Sequence, residues 1–156
     1  MPNNTSDHSP VSLIKRLLAF MYDLLLLSAI FFVMGILATI LPTFIVNGGN
    51  AITEEHPFFL INQIIILSTL FLSGLFFYGW FWTHGGQTLG MKTWRIQLIS
   101  NKTGRISWKQ VVIRYFAAIF SWCTLGAGFL WSLVDRKKRC WHDILSSSHL
   151  VQLPRK

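Results

Sequence analysis

Charged residues, and acidic residues above all, are scarce in this chain. Of its 156 residues, 13% are charged and 6 are aspartate or glutamate, whereas a soluble domain carries about 25% charged residues. Hydrophobic residues make up 52% of the chain. This composition excludes an ordinary water-soluble domain and indicates an integral membrane protein.

Cysteine is also rare. The 2 cysteines, Cys123 and Cys140, lie in an apolar block and in a basic run, so the sequence offers no disulfide framework and no paired zinc-ligand spacing. The 5 histidines show no HxxxH or HExxH spacing. We therefore expect neither a metal site nor a cofactor.

Three hydrophobic blocks each reach the roughly 20 residues that span a hydrocarbon core about 30 Å thick. They run from Leu17 to Leu41, from Phe58 to Trp82 and from Val111 to Val134. A cleaved signal peptide is the alternative for the first block, but its apolar run is too long and no small-residue cleavage site follows.

The domain organisation follows from these blocks. We predict a single membrane domain over residues 13–153, after a disordered lead (1–12) and before a short terminus (154–156). Within it we predict three helices, at residues 13–41, 58–82 and 111–134. A loop at residues 83–110 joins the second helix to the third, and a basic tail follows at residues 135–153.

The basic residues predict the topology. Loop 42–57 has no lysine or arginine, whereas loop 83–110 carries Lys92, Arg95, Lys102, Arg105 and Lys109. The positive-inside rule therefore places the N-terminus and loop 83–110 in the cytoplasm. A fully spanning third block would put the basic tail outside, against that rule.

The third block contains "TLGAG" near its middle, and glycines there permit a sharp turn between two half-helices. We favour a re-entrant hairpin, which keeps the C-terminus cytoplasmic, over a third full span. The runs "RIQLI" and "LVQL" would then share one face and could pair as strands; two unconnected interfacial segments are the alternative. The predicted fold class is an all-α membrane protein with two transmembrane helices, a broken or re-entrant third, and a small cytoplasmic β-pairing.

The formal charge of +8 suits nucleic acid or a membrane surface. In a chain with three bilayer-length blocks, anionic lipid headgroups on the cytoplasmic face explain the charge better than nucleic acid does.

One carboxylate stands inside the first block, in "FMYDLLLL". Lipid cannot solvate the charge of Asp23, so the side chain must face protein or water, pair with a cation, or take up a proton. Arg16 lies seven residues earlier on the same helix face, but two turns separate them by about 10.5 Å. A partner from another element is therefore needed.

The ionisable residues in and after the third block are the candidate partners. Arg114 is the expected cation for Asp23, and Arg16 could hold a tail carboxylate, Asp135 or Asp143, with His142 adjacent. These residues could handle ions or protons, or they could form a purely structural clamp.

The segment "GGQTLG" lacks both the preceding strand and the Gly-Lys-Ser/Thr ending of a phosphate-binding loop. We interpret it as a turn after the second helix, in which Gln87 or Thr88 caps the following segment. The turn residues are Gly86, Gln87, Thr88 and Gly90.

The chain resembles the RDD family of small bacterial membrane proteins, which is named for one arginine and two aspartates. Arg16 and Asp23 stand where the family has them, "GGQTLGMKTWRIQLIS" matches a "GQTLGK"-like segment, and "CWHDILSSSHLVQL" makes Asp143 the second family aspartate. Met91 departs from the usual basic residue, and "ILSSSH" replaces the usual "RLAGT". The resemblance implies a multi-pass protein of the bacterial plasma (inner) membrane and an association of some members with transport.

Two functions of different classes follow. The first is transport of a cation or small solute coupled to protonation of Asp23, which needs a homo-oligomer because two spans and a hairpin enclose no pathway. The second is a non-catalytic membrane module that binds anionic lipid or a partner protein. No nucleophile, base and oxyanion donor come together in the sequence, so we do not expect an enzyme.

Overall fold

The computed structural model describes residues 11–124, 126–136 and 139–154. The predicted lead falls largely on residues 1–10, outside the described part of the chain. The end of that lead is a correction: Val11 is 1% exposed and packs in the core. Helix α1 follows directly and spans Leu13–Asn47.

Helix α1 is longer than predicted. It continues through Pro42 to Asn47, whereas we expected it to stop near the proline. Pro42 has no N–H to donate to the carbonyl of Ala38, and apolar helices of this kind tolerate such a loss.

Helix α2 spans Phe59–Gly85. Helices α1 and α2 are both long and apolar enough to cross a membrane. Many of their large side chains are exposed, among them Leu25, Phe32, Ile45, Leu60, Ile64 and Leu72. Exposed apolar surface on this scale marks contact with lipid or another apolar phase, which confirms the predicted membrane class.

The third block is two helices. Helix α4 spans Trp108–Cys123 and α5 spans Ala127–Val134, and they are bent by 96°. Gly126, with φ of 79°, supplies left-handed backbone at the break. The start of α4 is a capping box in which the Ser107 side chain accepts from Gln110 N and the Gln110 side chain accepts from Ser107 N. The predicted broken third helix is confirmed.

Two short helices, α3 at Leu89–Thr93 and α6 at Trp141–Leu145, were not predicted. The predicted strand pairing is confirmed: β1, Ile96–Ser100, pairs antiparallel with β2, Ser148–Gln152. In this register Leu98 faces Leu150 and Ser100 faces Ser148.

The chain divides into two compact units. The second unit, residues 24–77, holds most of α1 and α2 and their connection. The first unit comprises residues 1–23 and 78–156. Its core contains Val11, Ile96, Leu98, Val111, Cys140 and Val151, each at most 2% exposed. All of the candidate site lies in the first unit.

Candidate functional site

Asp143 is the centre of the site, and its position follows from the start of α6. Cys140 is the N-cap, and Asp143 three residues later accepts a hydrogen bond from Cys140 N on Oδ2 at 3.0 Å. This contact satisfies one of the free N–H groups of the helix start and fixes the carboxylate direction. The Asp143 side chain is completely buried.

Two guanidinium groups from different helices meet this carboxylate. Arg16 Nη1 of α1 lies 2.7 Å from Oδ2, and Arg114 Nη1 of α4 lies 2.6 Å from Oδ1. The arginine side chains are 8% and 5% exposed. We call Arg16, Arg114 and Asp143 the clamp, because its three residues join α1, α4 and α6.

Other contacts hold the two arginines in place. Arg16 Nε donates to Val11 O at 3.3 Å, and Arg114 Nη1 donates to Ser148 Oγ at 2.9 Å. The Arg114 guanidinium carbon lies 5.4 Å from the centre of the Trp82 ring, a cation–π distance. The clamp therefore also reaches strand β2 and the end of α2.

The charges determine which protonation states the clamp favours. Burial alone would raise the pKa of Asp143, but the charges of Arg114 and Arg16 and the hydrogen bond from Cys140 N outweigh it and hold that pKa well below its usual range. Burial and the neighbouring Arg114 charge lower the pKa of His142 to about 3. At neutral pH Asp143 is ionised and His142 is neutral, so two positive charges face one negative charge.

Cys140, His142 and Asp143 lie close enough for one metal ion, with ligand atoms within 4.8 Å of one another. The surroundings do not suit a cation, because both Asp143 oxygens already contact guanidinium groups. Burial also raises the pKa of the Cys140 thiol, which disfavours the thiolate that a metal requires. The donor set is better suited to an ion-pair network than to a metal centre.

The neutral state of buried His142 predicts a pH dependence. Its pKa is about 3 in the folded chain against 6.5 ordinarily, so the unfolded state binds more protons between these values and stability falls as the pH drops below about 6.5. From about pH 7 to pH 5 the loss should be roughly 2 kcal/mol. Thermal unfolding of purified protein at both pH values should show a smaller difference for His142→Gln than for wild type.

His56→Gln makes the same change in the connection between α1 and α2, outside the first unit, and should keep the wild-type pH dependence. An undiminished pH effect in His142→Gln would show that His142 is not the group held neutral by the fold.

Asp23 has different partners from those expected. Thr88 Oγ1 donates to Oδ2 at 2.6 Å, and Gly90 N donates to Oδ1 at 2.9 Å. Asp23 is 3% exposed. Thr88 is the N-cap of α3 and its hydroxyl accepts from Met91 N at 3.1 Å. Asp23 and Thr88 therefore cap the start of α3 together.

The expected pair of Arg114 with Asp23 is wrong, because Arg114 contacts Asp143 instead. Arg16 and Asp23 share a helix face but contact different partners: Arg16 pairs with Asp143, and Asp23 accepts from the start of α3. A neutral hydroxyl and a backbone N–H satisfy the carboxylate oxygens of Asp23. Of the alternatives expected for Asp23, which were facing protein or water, pairing with a cation or taking up a proton, the structure shows contact with protein.

The turn residues act through both backbone and side chain. Gly86 has φ of 67°, and its carbonyl oxygen accepts from Leu98 N at 2.7 Å. Gln87 Nε2 donates to Ile96 O at 2.7 Å. The predicted turn thus attaches the end of α2 to β1, and Thr88 performs the predicted capping.

Asp135 lies apart from the clamp. Its Oδ2 accepts from Arg139 Nε at 3.1 Å, an ion pair between residues four apart. The structure therefore brings together Arg16, Arg114, His142 and Asp143, while Asp23 and Asp135 have other partners. Trp82 and Ser148 were not predicted as partners of Arg114, because no motif or spacing in the sequence connects either residue to that arginine.

The fold and the site define a small membrane protein with two apolar helices of spanning length, whose buried arginine–aspartate cluster links the start of the first helix to the C-terminal tail. The RDD family model matches residues 10–147, and the chain belongs to the RDD family. No curated protein matches the chain, and no solved structure does.

Proposed function

We propose that the protein is a non-catalytic membrane module that binds anionic lipid headgroups through its basic residues, with the clamp as its structural lock. The main observation behind this proposal is that both Asp143 oxygens contact buried guanidinium groups. Both Asp23 oxygens likewise accept donors from the α3 start. Neither carboxylate is left open to a solute.

The basic residues outside the clamp are placed differently. Six of them are exposed: Lys92, Arg95, Lys102, Arg105, Lys109 and Arg136. Among the residues that the structure describes, none of the six has a carboxylate partner. Exposed basic residues near a membrane surface are each attracted to anionic headgroups by about 1 kcal/mol.

In the topology that goes with this proposal, the protein lies in the bacterial plasma membrane and both termini are on the cytoplasmic side. The positive-inside rule supports a cytoplasmic loop 83–110. Strand β1 precedes the bent α4–α5 pair and β2 follows it, and the two strands hydrogen-bond. Paired strands lie on one side of a bilayer, which supports a re-entrant pair over a third span.

Lipid co-purification tests the proposal. After extraction in mild detergent, wild type should retain a larger fraction of anionic phospholipid than the surrounding membrane contains. Glutamine at Lys92, Arg95, Lys102, Arg105 and Lys109 should remove this enrichment, because up to about 1 kcal/mol of attraction is lost per residue. Mass-spectrometric lipid analysis gives the ratio. Equal enrichment in wild type and the five-residue variant would contradict the proposal.

A second candidate is transport of a cation or small solute by a homo-oligomer, coupled to protonation of Asp23. It is favoured by one observation: Asp23 is buried in an apolar helix, and in the described part of the chain it forms no ion pair. Cation-dependent proton flux in proteoliposomes that Asp23→Asn abolishes would support this candidate over the lipid-binding module.

A further inference from the structure

A cavity of about 380 Å³ lies in the first unit, between the end of α2 and the loop after β1. The residues that line it include Trp82, His84, Gly86, Gln97, Leu98 and Arg105. No carboxylate is among its lining residues. The cavity is lined by none of the three clamp residues, although Trp82, whose ring lies near Arg114, is among its lining residues.

Two backbone acceptors at the cavity are already used. Gly86 O accepts from Leu98 N at 2.7 Å, and Gly85 O accepts from the Gln97 side chain at 3.2 Å. The exposed Arg105 lines the same cavity and supplies a charged donor. With no carboxylate among the lining residues, its guanidinium group can pair with an anionic acceptor.

The position of the cavity identifies the source of the anion. Helix α2 has 27 residues and ends at Gly85, one turn beyond Trp82. That length rises about 40 Å, which matches a bilayer with its headgroup regions, about 40–45 Å. The end of this helix therefore lies at the depth of lipid phosphates, where indole and guanidinium groups commonly settle.

We propose that this cavity is a specific site for the phosphate of an anionic phospholipid headgroup, with Arg105 as its charged donor. The proposal rests on the proposed function and deepens it, because it replaces a diffuse basic surface by one built site. Arg105 would form a charge-assisted contact to the phosphate oxygens.

The test is lipid-dependent thermal stability of the full-length protein in detergent. Phosphatidylglycerol is titrated against phosphatidylcholine at about 0.3 M salt, where diffuse attraction is largely screened. Arg105→Gln should raise the phosphatidylglycerol concentration for half-maximal stabilisation about tenfold or more. Lys102→Gln is the matched control, because Lys102 is exposed in the same loop but is not among the cavity-lining residues; it should change that concentration less than about threefold.

The outcomes separate the site from the wider function. Equal weakening by both substitutions would overturn the specific site and leave the diffuse lipid attraction standing. No preference of wild type for phosphatidylglycerol would overturn both. Inorganic phosphate is titrated alone as a further arm: stabilisation by phosphate that Arg105→Gln removes would show that the site takes a soluble anion and would overturn the lipid assignment.

Discussion

Asp143→Asn is expected to destabilise the first unit by about 3–5 kcal/mol, the typical cost of breaking a buried ion pair by removing one partner. An amide cannot neutralise the two guanidinium groups that lie 2.7 and 2.6 Å from the carboxylate. Its NH₂ group would also face one of these donors without an acceptor between them. In the wild type the negative charge of Asp143 balances one of the two buried positive charges. The substitution therefore leaves both of them unbalanced.

The two cysteines of the chain supply the measurement. Cys123 is exposed and Cys140 is buried, so in a Cys123→Ser background the thiol of Cys140 reacts with a labelling reagent only after unfolding. The temperature at which labelling begins then reports stability in detergent. Asp143→Asn should lower this temperature strongly relative to the Cys123→Ser parent.

Asp135→Asn is the matched control, since it makes the same chemical change in the same tail. The Asp135 side chain is 16% exposed and its partner Arg139 is 36% exposed; ion pairs at the surface contribute about 0–1 kcal/mol, so this partly exposed pair should contribute far less than the clamp. Comparable effects of the two substitutions would contradict a special role for the clamp. Arg16→Met in the Asp143→Asn background removes one unpaired charge and should recover part of the loss.

The parts of the fold that depend on hydropathy were predictable from the sequence. Both helices of spanning length and the break at Gly126 follow from long apolar runs and from glycine. The end of β1 at Ser100 and the start of β2 at Ser148 are 48 positions apart in the sequence. Their pairing nevertheless followed from charge, because the positive-inside rule places both segments on one side. Arg16 as the holder of a tail carboxylate was one of two possibilities, and the structure selects Asp143 over Asp135.

The partners of Asp23 were not predictable for a physical reason. A buried carboxylate needs donors, and a hydroxyl or a backbone N–H can serve as well as a cation. The N–H of Gly90 is available to Asp23 because it lies in the first turn of α3, where backbone N–H groups have no acceptor within the helix. Helix α3 has just 5 residues. A helix of that length shows no clear hydrophobic period. Its existence, and therefore the capping role of Asp23, comes from tertiary contacts.

Gly90→Ala is expected to cost about 3–5 kcal/mol, combining overpacking with the loss of a charge-assisted hydrogen bond. A Cβ built at Gly90 would lie under 3.0 Å from the backbone oxygen of Ala19 and 2.9 Å from Asp23 Oδ1. Backbone cannot rotate aside as a side chain can, so α3 would have to move away from α1. That movement would break the bond from Gly90 N that caps α3.

Gly85→Ala is the control, because a Cβ at Gly85 meets nothing within 4 Å and its backbone has no positive φ. This change should be neutral or slightly stabilising, since alanine favours helix over glycine by up to about 1 kcal/mol. Cys140 labelling on heating compares both variants in the Cys123→Ser background. If Gly90→Ala matched Gly85→Ala, α3 would not pack against α1 through this glycine, and the assignment of Asp23 as its cap would be wrong.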